Sequence, residues 1–525
     1  MTTTDVVVVG GGIAGLAAAW ELATGTPPCR VTLLEATGRL GGKIETSAFA
    51  GIDLDAGPDA FLARAPAAAQ LAREAGLGDE LVAPGTGQAW LWTGGGLRRL
   101  PSGLVLGVPV DFPALARSRV LPPHATARAA LDPVLPGHPV APDEDVSVGW
   151  LVRRRMGRAV QLDLVDPLLG GINASHTDHL SAAVAAPQLL AAARREASLV
   201  RALRAAGTGG TASGAVTQEA PGRDAGGVTA AAAGTGDDVT AAAPGRDAGD
   251  VAGAVVGTSD VAGLSVAHER PHAGAVFLTV RGGLVRLVDA VVAGLAAKGA
   301  TVRTGTAVAG LERTTDGWTV RCSDGGAVQA AAVVVACPSA ELVTAVSPDA
   351  GAQLSAIEWA SVVLVSLAYR AADAPAWEGS GFLVPRRAGR FVTAASWVGQ
   401  KWPHLAVPGT VVVRASAGRV DDPRPGALDD GELVAAVDAD LRAAMGLRGG
   451  PVEARVSRWP GAFPQYEVGH LQRIERIERR LAADAPGVVL AGAALRGVGL
   501  ATCIAGGRAA AARARARMDE VRPGR

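Results

Sequence analysis

The stretch DVVVVGGGIAGLAAAWELA, residues 5–23, decides the fold of this chain. Its four valines indicate a buried β-strand, and the Ala/Leu run beyond the glycines indicates a helix. The glycines have the GxGxxG spacing. Gly10 permits a tight turn, Gly12 lets a pyrophosphate approach the backbone, and Gly15 lets the helix pack on the strand. An Ala/Gly-rich chain also produces this spacing by chance, so the sequence context has to decide.

A second predicted strand, RVTLLEA at 30–36, supplies that context. It ends on Glu35, twenty residues after Gly15. A carboxylate there can accept the ribose hydroxyls of a dinucleotide and would repel a 2′-phosphate. No second GxGxxG is followed by an acidic strand end, so no separate nicotinamide site is indicated.

The composition indicates a globular protein of two or three domains with no general affinity for nucleic acid. The chain has 525 residues, 49% of them hydrophobic, and its 50 basic and 50 acidic side chains cancel. The N-terminus lacks the basic region that opens a signal peptide, and no apolar run reaches the roughly 18 residues of a spanning helix. We therefore expect a cytoplasmic protein.

Metal-binding and disulfide patterns are weak. His176 and His179 have HxxH spacing but lie in a polar stretch that lacks a nearby third ligand, so no metal site is predicted. The cysteines stand far apart with no CxxC pair, which argues against a disulfide framework and favours a reducing compartment. They are Cys29, Cys322, Cys337 and Cys503.

The rest of the chain returns to the opening pattern around an unusual insertion. Residues 281–338 indicate a helix, short strands with Asp-Gly turns and a buried strand, and residues 487–516 indicate strand, glycine loop and helix. Residues 206–265 contain APGRDAG twice, at 220–226 and 243–249, and have no aromatic side chain. Such a stretch cannot bury enough apolar surface to offset chain entropy, so we expect a disordered surface insertion.

Two motifs resemble FAD-binding segments of the amine oxidase and porphyrinogen oxidase superfamily: EATGRLGGKIET at 35–46 and GIDLDAGPDAFLAR at 51–64. By this resemblance the first wraps the adenosine and diphosphate side of FAD, and the second brings backbone against the flavin ring. The C-terminal glycine loop would lie beside the ring, with a helix beginning near Thr502 aiming its positive end at the flavin. The implied residues, for FAD held non-covalently, are Gly10, Gly11, Gly12, Ile13, Ala14, Gly15, Glu35, Ala36, Arg39, Gly42, Lys43, Gly57, Pro58, Asp59, Ala60, Val308, Trp459, Val498, Gly499 and Leu500.

Further motifs occur in the order expected for a porphyrinogen oxidase and together resemble the bacterial coproporphyrinogen III oxidase branch of the protoporphyrinogen oxidase family. They are PSGLVLGVP at 101–109, SVGWLVRRRMG at 147–157, LVDPLLGGI at 164–172, RGGL at 281–284, SWVGQKWPH at 396–404 and RWPGAFPQYEVGH at 458–470. The resemblance implies an α/β fold with a discontinuous Rossmann-like FAD-binding domain, an α+β substrate domain and a helical domain. The implied ranges are 1–85, 273–340 and 455–525 for the FAD-binding domain, 86–110 and 341–454 for the substrate domain, 111–205 for the helical domain and 206–265 for the insertion.

The resemblance also implies a reaction. It is the FAD-dependent oxidation of coproporphyrinogen III to coproporphyrin III in haem biosynthesis, which passes six electrons to oxygen and yields three hydrogen peroxide. Protoporphyrinogen IX oxidation stays open, although Ala89 stands where mitochondrial-type protoporphyrinogen oxidases tend to carry an Arg. An amine oxidase or desaturase is less favoured, because amine oxidases commonly enclose the substrate nitrogen between two aromatic rings and this chain has only Tyr369 and Tyr466. The implied partners are a porphyrinogen and molecular oxygen; transient contact with ferrochelatase-type enzymes and with a membrane surface stays open.

The substrate side is less defined, and no catalytic base is identified. Arg64 is the candidate for a substrate propionate, with a solvated surface role as the alternative. Trp459 and Tyr466 flank the cofactor by resemblance, with core packing as the alternative for Tyr466. FVTAASWVGQKWPH at 391–404 holds one of only three lysines. By the resemblance we expect its aromatic side chains to pack a substrate-domain sheet, with direct substrate contact as the alternative. We expect 153–155, three arginines, on a solvated helix face.

Overall fold

The computed structural model describes residues 2–207 and 275–521, and these contain two seven-stranded sheets and three small ones. The strands are β1 Thr2–Val9, β2 Val31–Leu34, β3 Thr46–Phe49, β4 Ile52–Asp55, β5 Phe61–Leu62, β6 Leu81–Val82, β7 Ala89–Thr93, β8 Gly96–Arg99, β9 Leu104–Val105, β10 Val108–Pro109, β11 Phe277–Val280, β12 Thr301–Arg303, β13 Val308–Thr314, β14 Gly317–Cys322, β15 Ala327–Val335, β16 Trp359–Arg370, β17 Gly381–Leu383, β18 Val392–Trp397, β19 Thr410–Ala417, β20 Glu453–Pro464 and β21 Val488–Leu490. The helices are α1 Ile13–Thr24, α2 Pro66–Glu74, α3 Phe112–Ser118, α4 Pro123–Ala130, α5 Val148–Met156, α6 Arg158–Val160, α7 Ala182–Ala185, α8 Pro187–Arg195, α9 Leu199–Gly207, α10 Val285–Ala297, α11 Ala340–Val346, α12 Pro348–Ser355, α13 Val398–Lys401, α14 Arg424–Ala427, α15 Asp430–Met445, α16 His470–Asp484, α17 Ala493–Arg496 and α18 Leu500–Val521, with a π-helix at Gln161–Gly170 and 3-10 turns at Gly78–Glu80, Ala371–Asp373, Arg386–Ala388 and Pro403–Leu405.

The valines of β1 lie at the centre of the first sheet. Its order is β12–β2–β1–β15–β14–β13, with β21 also paired to β15. β1 runs parallel to β2 and β15. Val6 and Val8 pack with residues of α1 and α18 on one face, whereas Val7 and Val9 pack with residues of α11 and α16 on the other. Both faces are covered, which explains why the strand is apolar at every position.

The second large sheet is mainly antiparallel and has the order β20–β16–β19–β18–β17–β7–β8. Helix α15 covers one face and buries Leu433 and Val437 against it. A capping box between Asp429 and Glu432 starts this helix. Trp397 of the 391–404 stretch is 2% exposed in the same core, so its packing role is as expected.

Helices α3 to α9 and the π-helix form a core of their own, and here one expectation is wrong. Arg153 and Arg154 are exposed, but Arg155 is 5% exposed. Its Nε atom lies 2.6 Å from Oδ1 of Asp132, which is itself fully buried. A guanidinium tolerates this burial because a carboxylate and backbone carbonyls use its donors.

The predicted α/β fold is confirmed. The first sheet takes strands from both ends and the middle of the chain. The exact domain ranges stay a prediction. The predicted insertion at 206–265 lies outside the described residues, except that Ala206 and Gly207 end helix α9. Among the described helices, none combines the length and apolar character needed to cross a membrane.

Candidate functional site: a glycine cradle and a clamped loop

The GxGxxG segment forms a tight connection between β1 and α1. Gly10 has a φ of +106°, which favours glycine, and its N–H donates to the carbonyl of Leu34. A Cβ on Gly15 would lie 1.9 Å from the carbonyl oxygen of Gly10, so only glycine allows the helix this close to the strand. At Gly12 nothing lies within 4 Å of a notional Cβ. We call residues 10–15 the glycine cradle. The contacts of Gly15 close it on the protein side, and the space around Gly12 leaves it open in front.

The open side coincides with the N-terminus of α1. Gly12 precedes the first helical residue, Ile13, and no acidic side chain lies in the first turn of α1. The unpaired N–H groups and the helix dipole at such a terminus favour an anion, and a diphosphate is the ligand that this arrangement commonly holds.

Glu35 directly follows β2 and lies beside the cradle. Its Oε2 accepts a hydrogen bond of 2.7 Å from the Gly11 N–H, and its Oε1 accepts from the N–H and hydroxyl of Thr37, each at 2.8 Å. Its backbone carbonyl accepts from the Thr306 N–H at 2.8 Å, which brings the loop before Val308 alongside. The carboxylate is held in one orientation, and its remaining acceptor capacity suits ribose hydroxyls.

Residues 39–43 form a turn against the cradle. Gly41 donates its N–H to the Gly11 carbonyl at 2.8 Å. Arg39 donates to the carbonyls of Ile44 and Gly42 at 2.9 and 2.6 Å, so its side chain shapes this turn. The Lys43 ammonium lies 5.8 Å from the centre of the Trp359 ring, and burial lowers the pKa of Lys43.

Residues 55–60 run between this turn and the second large sheet. A Cβ on Gly57 would meet the carbonyl oxygen of Lys43 at 2.1 Å. Trp459 on β20 donates its indole N–H to the Ala56 carbonyl at 2.9 Å. Asp59 forms ion pairs with Lys401 and Arg414 from that sheet region. The segment is therefore fixed from both sides.

The C-terminal loop reaches the same end of the molecule as the cradle. Helix α18 begins at Leu500, two residues before the predicted start near Thr502, and follows directly on Val498 and Gly499. A Cβ on Gly507 would lie 2.1 Å from the Ala14 carbonyl oxygen, and Arg515 donates to the Leu22 carbonyl at 3.3 Å. The two contacts show that α1 and α18 run in the same direction, so their N-termini lie at the same end.

The structure also shows the surroundings of Arg64, of Tyr466 and of the two histidines with HxxH spacing. Arg64 is exposed between β5 and α2. Tyr466 is 1% exposed and donates its hydroxyl to the Ala493 carbonyl at 2.7 Å, which supports the core-packing alternative. The ring centres of His176 and His179 are 5.9 Å apart, and in the described part of the chain no group of three His, Cys, Asp or Glu side chains could hold a metal ion.

Two cavities lie outside the glycine cradle. One of about 200 Å³ is at the ends of β15 and β21 and includes Cys337, Trp359 and Ala491 in its lining. A more open groove of about 540 Å³ contains Arg98, Arg99 and Arg117 and none of the predicted cofactor residues. Neither cavity is lined by the residues predicted to bind the cofactor.

Arg414 and the role of Lys401 were not predicted from the sequence. Arginine is so common in this chain that Arg414 gave no signal. Lys401 did give one, because it is one of three lysines, but its partner Asp59 is 342 residues away along the chain.

Comparison with known proteins identifies the family. The family model described as "Flavin containing amine oxidoreductase" matches residues 13–515. The chain belongs to this family. It is accordingly an oxidoreductase of the flavin-dependent type, and the residues present fit a flavin dinucleotide: an open cradle at a helix N-terminus, an oriented carboxylate in Glu35, and a backbone segment fixed at 55–60.

Individual relatives can be aligned with this chain over nearly its full length. It is 37% identical over 508 residues to a coproporphyrinogen III oxidase of Propionibacterium freudenreichii subsp. freudenreichii, covering 96% of this chain and 89% of that one. It is 31% identical over 511 residues to a coproporphyrinogen III oxidase of Bacillus subtilis, covering 96% of both. A solved structure from Exiguobacterium sp. 255-15, a protein proposed to be a protoporphyrinogen oxidase, has a TM-score of 0.77 and 28% identity over 99% of both chains. A putrescine oxidase variant, with 17% identity and a TM-score of 0.62, shares the fold.

Proposed function

We propose that this chain binds FAD non-covalently and oxidises coproporphyrinogen III to coproporphyrin III with molecular oxygen as the acceptor. The assignment of the substrate depends most on the similarity to relatives named coproporphyrinogen III oxidase, at 37% and 31% identity over almost the whole chain. Losing six electrons makes the tetrapyrrole aromatic, which drives the reaction, and three oxygen molecules become three hydrogen peroxide.

The proposal assigns the FAD diphosphate to the cradle of Gly10–Gly15 and its ribose to Glu35. Two features support this: the space in front of Gly12, and the three hydrogen bonds from Gly11 and Thr37 that orient the carboxylate. Residues 57–60 and 498–500 are assigned to the flavin ring, with Val308 near the adenine. Bound flavin supplies a two-electron acceptor, and the chain's own contribution is to hold the cofactor and orient the substrate.

No side chain is assigned as a general base. A porphyrinogen carries four pyrrole N–H groups and is driven by aromatisation, so proton loss does not require a strongly basic residue. Arg64 stays the candidate for a substrate propionate, because a guanidinium suits a carboxylate and the residue lies at the surface between β5 and α2. Ferrochelatase-type partners and a cytoplasmic location stay part of the proposal. The location is supported by four cysteines that are free thiols in the structure.

Protoporphyrinogen IX is the second candidate substrate. It is favoured by a protoporphyrinogen oxidase of Bos taurus at 28% identity over 527 residues and by the Exiguobacterium structure. The two substrates differ by two propionates in place of two vinyl groups, so a pocket for coproporphyrinogen must satisfy four carboxylates.

The cofactor part of the proposal is tested by releasing the flavin from purified protein. We expect free FAD after denaturation, no flavin attached to the protein by mass, and bleaching of the visible flavin absorbance under anaerobic coproporphyrinogen III but not under NADPH. Covalent flavin, FMN in place of FAD, or reduction by NADPH would each contradict it.

A further inference from the structure

A buried charge cluster joins the second large sheet to the segment assigned to the flavin ring. Oδ2 of Asp59 lies 2.8 Å from Nζ of Lys401 and accepts the indole N–H of Trp402 at 3.2 Å. Oδ1 of Asp59 lies 3.2 Å from a terminal nitrogen of Arg414. The side chains of Asp59, Lys401 and Arg414 are only 20%, 17% and 10% exposed. We call these three residues the Asp59 cluster.

The cluster also holds the backbone before Asp59. The second terminal nitrogen of Arg414 donates to the carbonyls of Asp55 and Gly57 at 2.9 and 3.0 Å. Trp459 donates to the carbonyl between them, that of Ala56. Three consecutive carbonyls are therefore fixed by side chains of β19 and β20, and the position of the backbone depends on the sheet.

The charges of the cluster are mutually dependent. Burial raises the pKa of Asp59, but the charges of Arg414 and Lys401 outweigh burial and lower it well below its ordinary value. Asp59 therefore stays ionised, and it gives both cations a fixed buried partner. Loss of either cation leaves a buried carboxylate that is only partly compensated, and the segment that carries it can no longer hold one conformation.

A fold-stabilising ion pair alone would not need this arrangement. Lysine is rare here, yet one of the three lysines in the chain, Lys401, pairs with Asp59, and the backbone carbonyl of another, Lys43, lies against Gly57. Arg414 uses a carboxylate and two carbonyls of the same segment at once, so it fixes the direction of the backbone as well as neutralising a charge.

We propose that Lys401 and Arg414 are positioning residues for the flavin: through Asp59 and the carbonyls of residues 55–57 they set the position of the backbone that faces the ring. The inference rests on the proposed contact between residues 57–60 and the flavin. It predicts that the Asp59 cluster controls FAD affinity and the relative affinity for oxidised and reduced FAD. The second large sheet would then influence the cofactor through Arg414 of β19.

The test compares Arg414→Met with Arg458→Met. Arg458 is a matched control, since it lies on β20 of the same sheet and also binds one carboxylate, Asp430, and carbonyls, those of Leu428 and Pro425, all away from the segment. Lys401→Met removes a single contact of Asp59 in case Arg414→Met fails to fold, and Lys401→Arg is the conservative replacement.

The readouts are FAD dissociation, followed by flavin fluorescence, and the flavin reduction potential. We expect Arg414→Met and Lys401→Met to weaken FAD binding at least about tenfold, because FAD must then order a backbone segment that the cluster no longer holds in place. We also expect both to change the ratio of affinities for oxidised and reduced FAD, whereas Lys401→Arg and Arg458→Met stay near wild type.

Two results distinguish a failure of the proposed function from a failure of the positioning inference. If wild-type protein binds no FAD, the proposed function fails. If wild-type protein binds FAD and both Met variants of the cluster lower only the melting temperature, with FAD affinity and potential unchanged as in Arg458→Met, the cluster is structural and the positioning inference is overturned.

Discussion

Alanine substitutions at Gly12 and Gly15 separate cofactor binding from folding within one motif. The two glycines are three residues apart, yet a Cβ meets nothing within 4 Å at Gly12 and the Gly10 carbonyl oxygen at 1.9 Å at Gly15. We expect Gly12→Ala to leave the fold intact and weaken FAD binding. We expect Gly15→Ala to destabilise the fold itself.

The magnitudes follow from the contacts. Gly12 has φ −69° and ψ 171°, which alanine adopts without strain, so its effect on the free energy of unfolding stays below about 0.5 kcal/mol. A methyl group placed against the diphosphate overpacks the cradle by about 1–3 kcal/mol, which is about 5- to 150-fold in FAD affinity. A Cβ on Gly15 would lie 1.9 Å from the Gly10 carbonyl oxygen and 3.2 Å from the Cβ of Ala336. Because the closer contact is with backbone, we expect Gly15→Ala to lower the free energy of unfolding by about 3 kcal/mol or more.

The assay is thermal unfolding by circular dichroism, with and without excess FAD, together with the FAD content after gel filtration. The expected order of melting temperatures without FAD is wild type and Gly12→Ala together, with Gly15→Ala lower. Full FAD retention by Gly12→Ala would refute the assignment of the diphosphate to this glycine, and an unchanged melting temperature for Gly15→Ala would refute the packing argument.

Three further substitutions test separate features. Burial raises the pKa of Asp55 to about 6, so the folded protein keeps a proton that the unfolded chain has lost. The free energy of unfolding should fall by up to about 3 kcal/mol as the pH rises from about 4 to about 7, and Asp55→Asn should lack that fall in denaturant titrations at several pH values. Arg155→Met should cost about 3–5 kcal/mol in denaturant titrations because it leaves Asp132 buried without its ion pair, whereas Arg154→Met, at an exposed position, should cost under about 1. Glu35→Ala should weaken FAD binding by about 1.5–3 kcal/mol in a fluorescence titration, and unchanged binding would contradict the ribose assignment.

The α/β fold and the local geometry around Gly10–Gly15 were predictable because their signals are local. The valines of β1 and the glycines that follow lie within one short segment, and Glu35 follows the next strand. The spacing along the chain was enough to predict that these residues lie next to one another, and their cofactor roles stay a prediction.

The Asp59 cluster and the buried Arg155 were less predictable because their contacts join parts of the chain that are distant in sequence. Asp59 meets Lys401 and Arg414 only once the second large sheet has formed. Arg155 lies in a run of three arginines that indicates solvent, and its burial depends on Asp132, 23 residues earlier. Nothing in a periodic pattern distinguishes an arginine that finds a buried carboxylate from one that remains in water.

The central claim, oxidation of a porphyrinogen with four propionates, is tested most directly by comparing two anaerobically prepared substrates. Coproporphyrinogen III and protoporphyrinogen IX are supplied separately with oxygen, and porphyrin fluorescence and hydrogen peroxide are followed together. We expect a higher kcat/KM for coproporphyrinogen III, with about three peroxide molecules for each porphyrin formed. An equal or higher kcat/KM for protoporphyrinogen IX would contradict the substrate assignment, and no porphyrin from either substrate would contradict the proposed reaction.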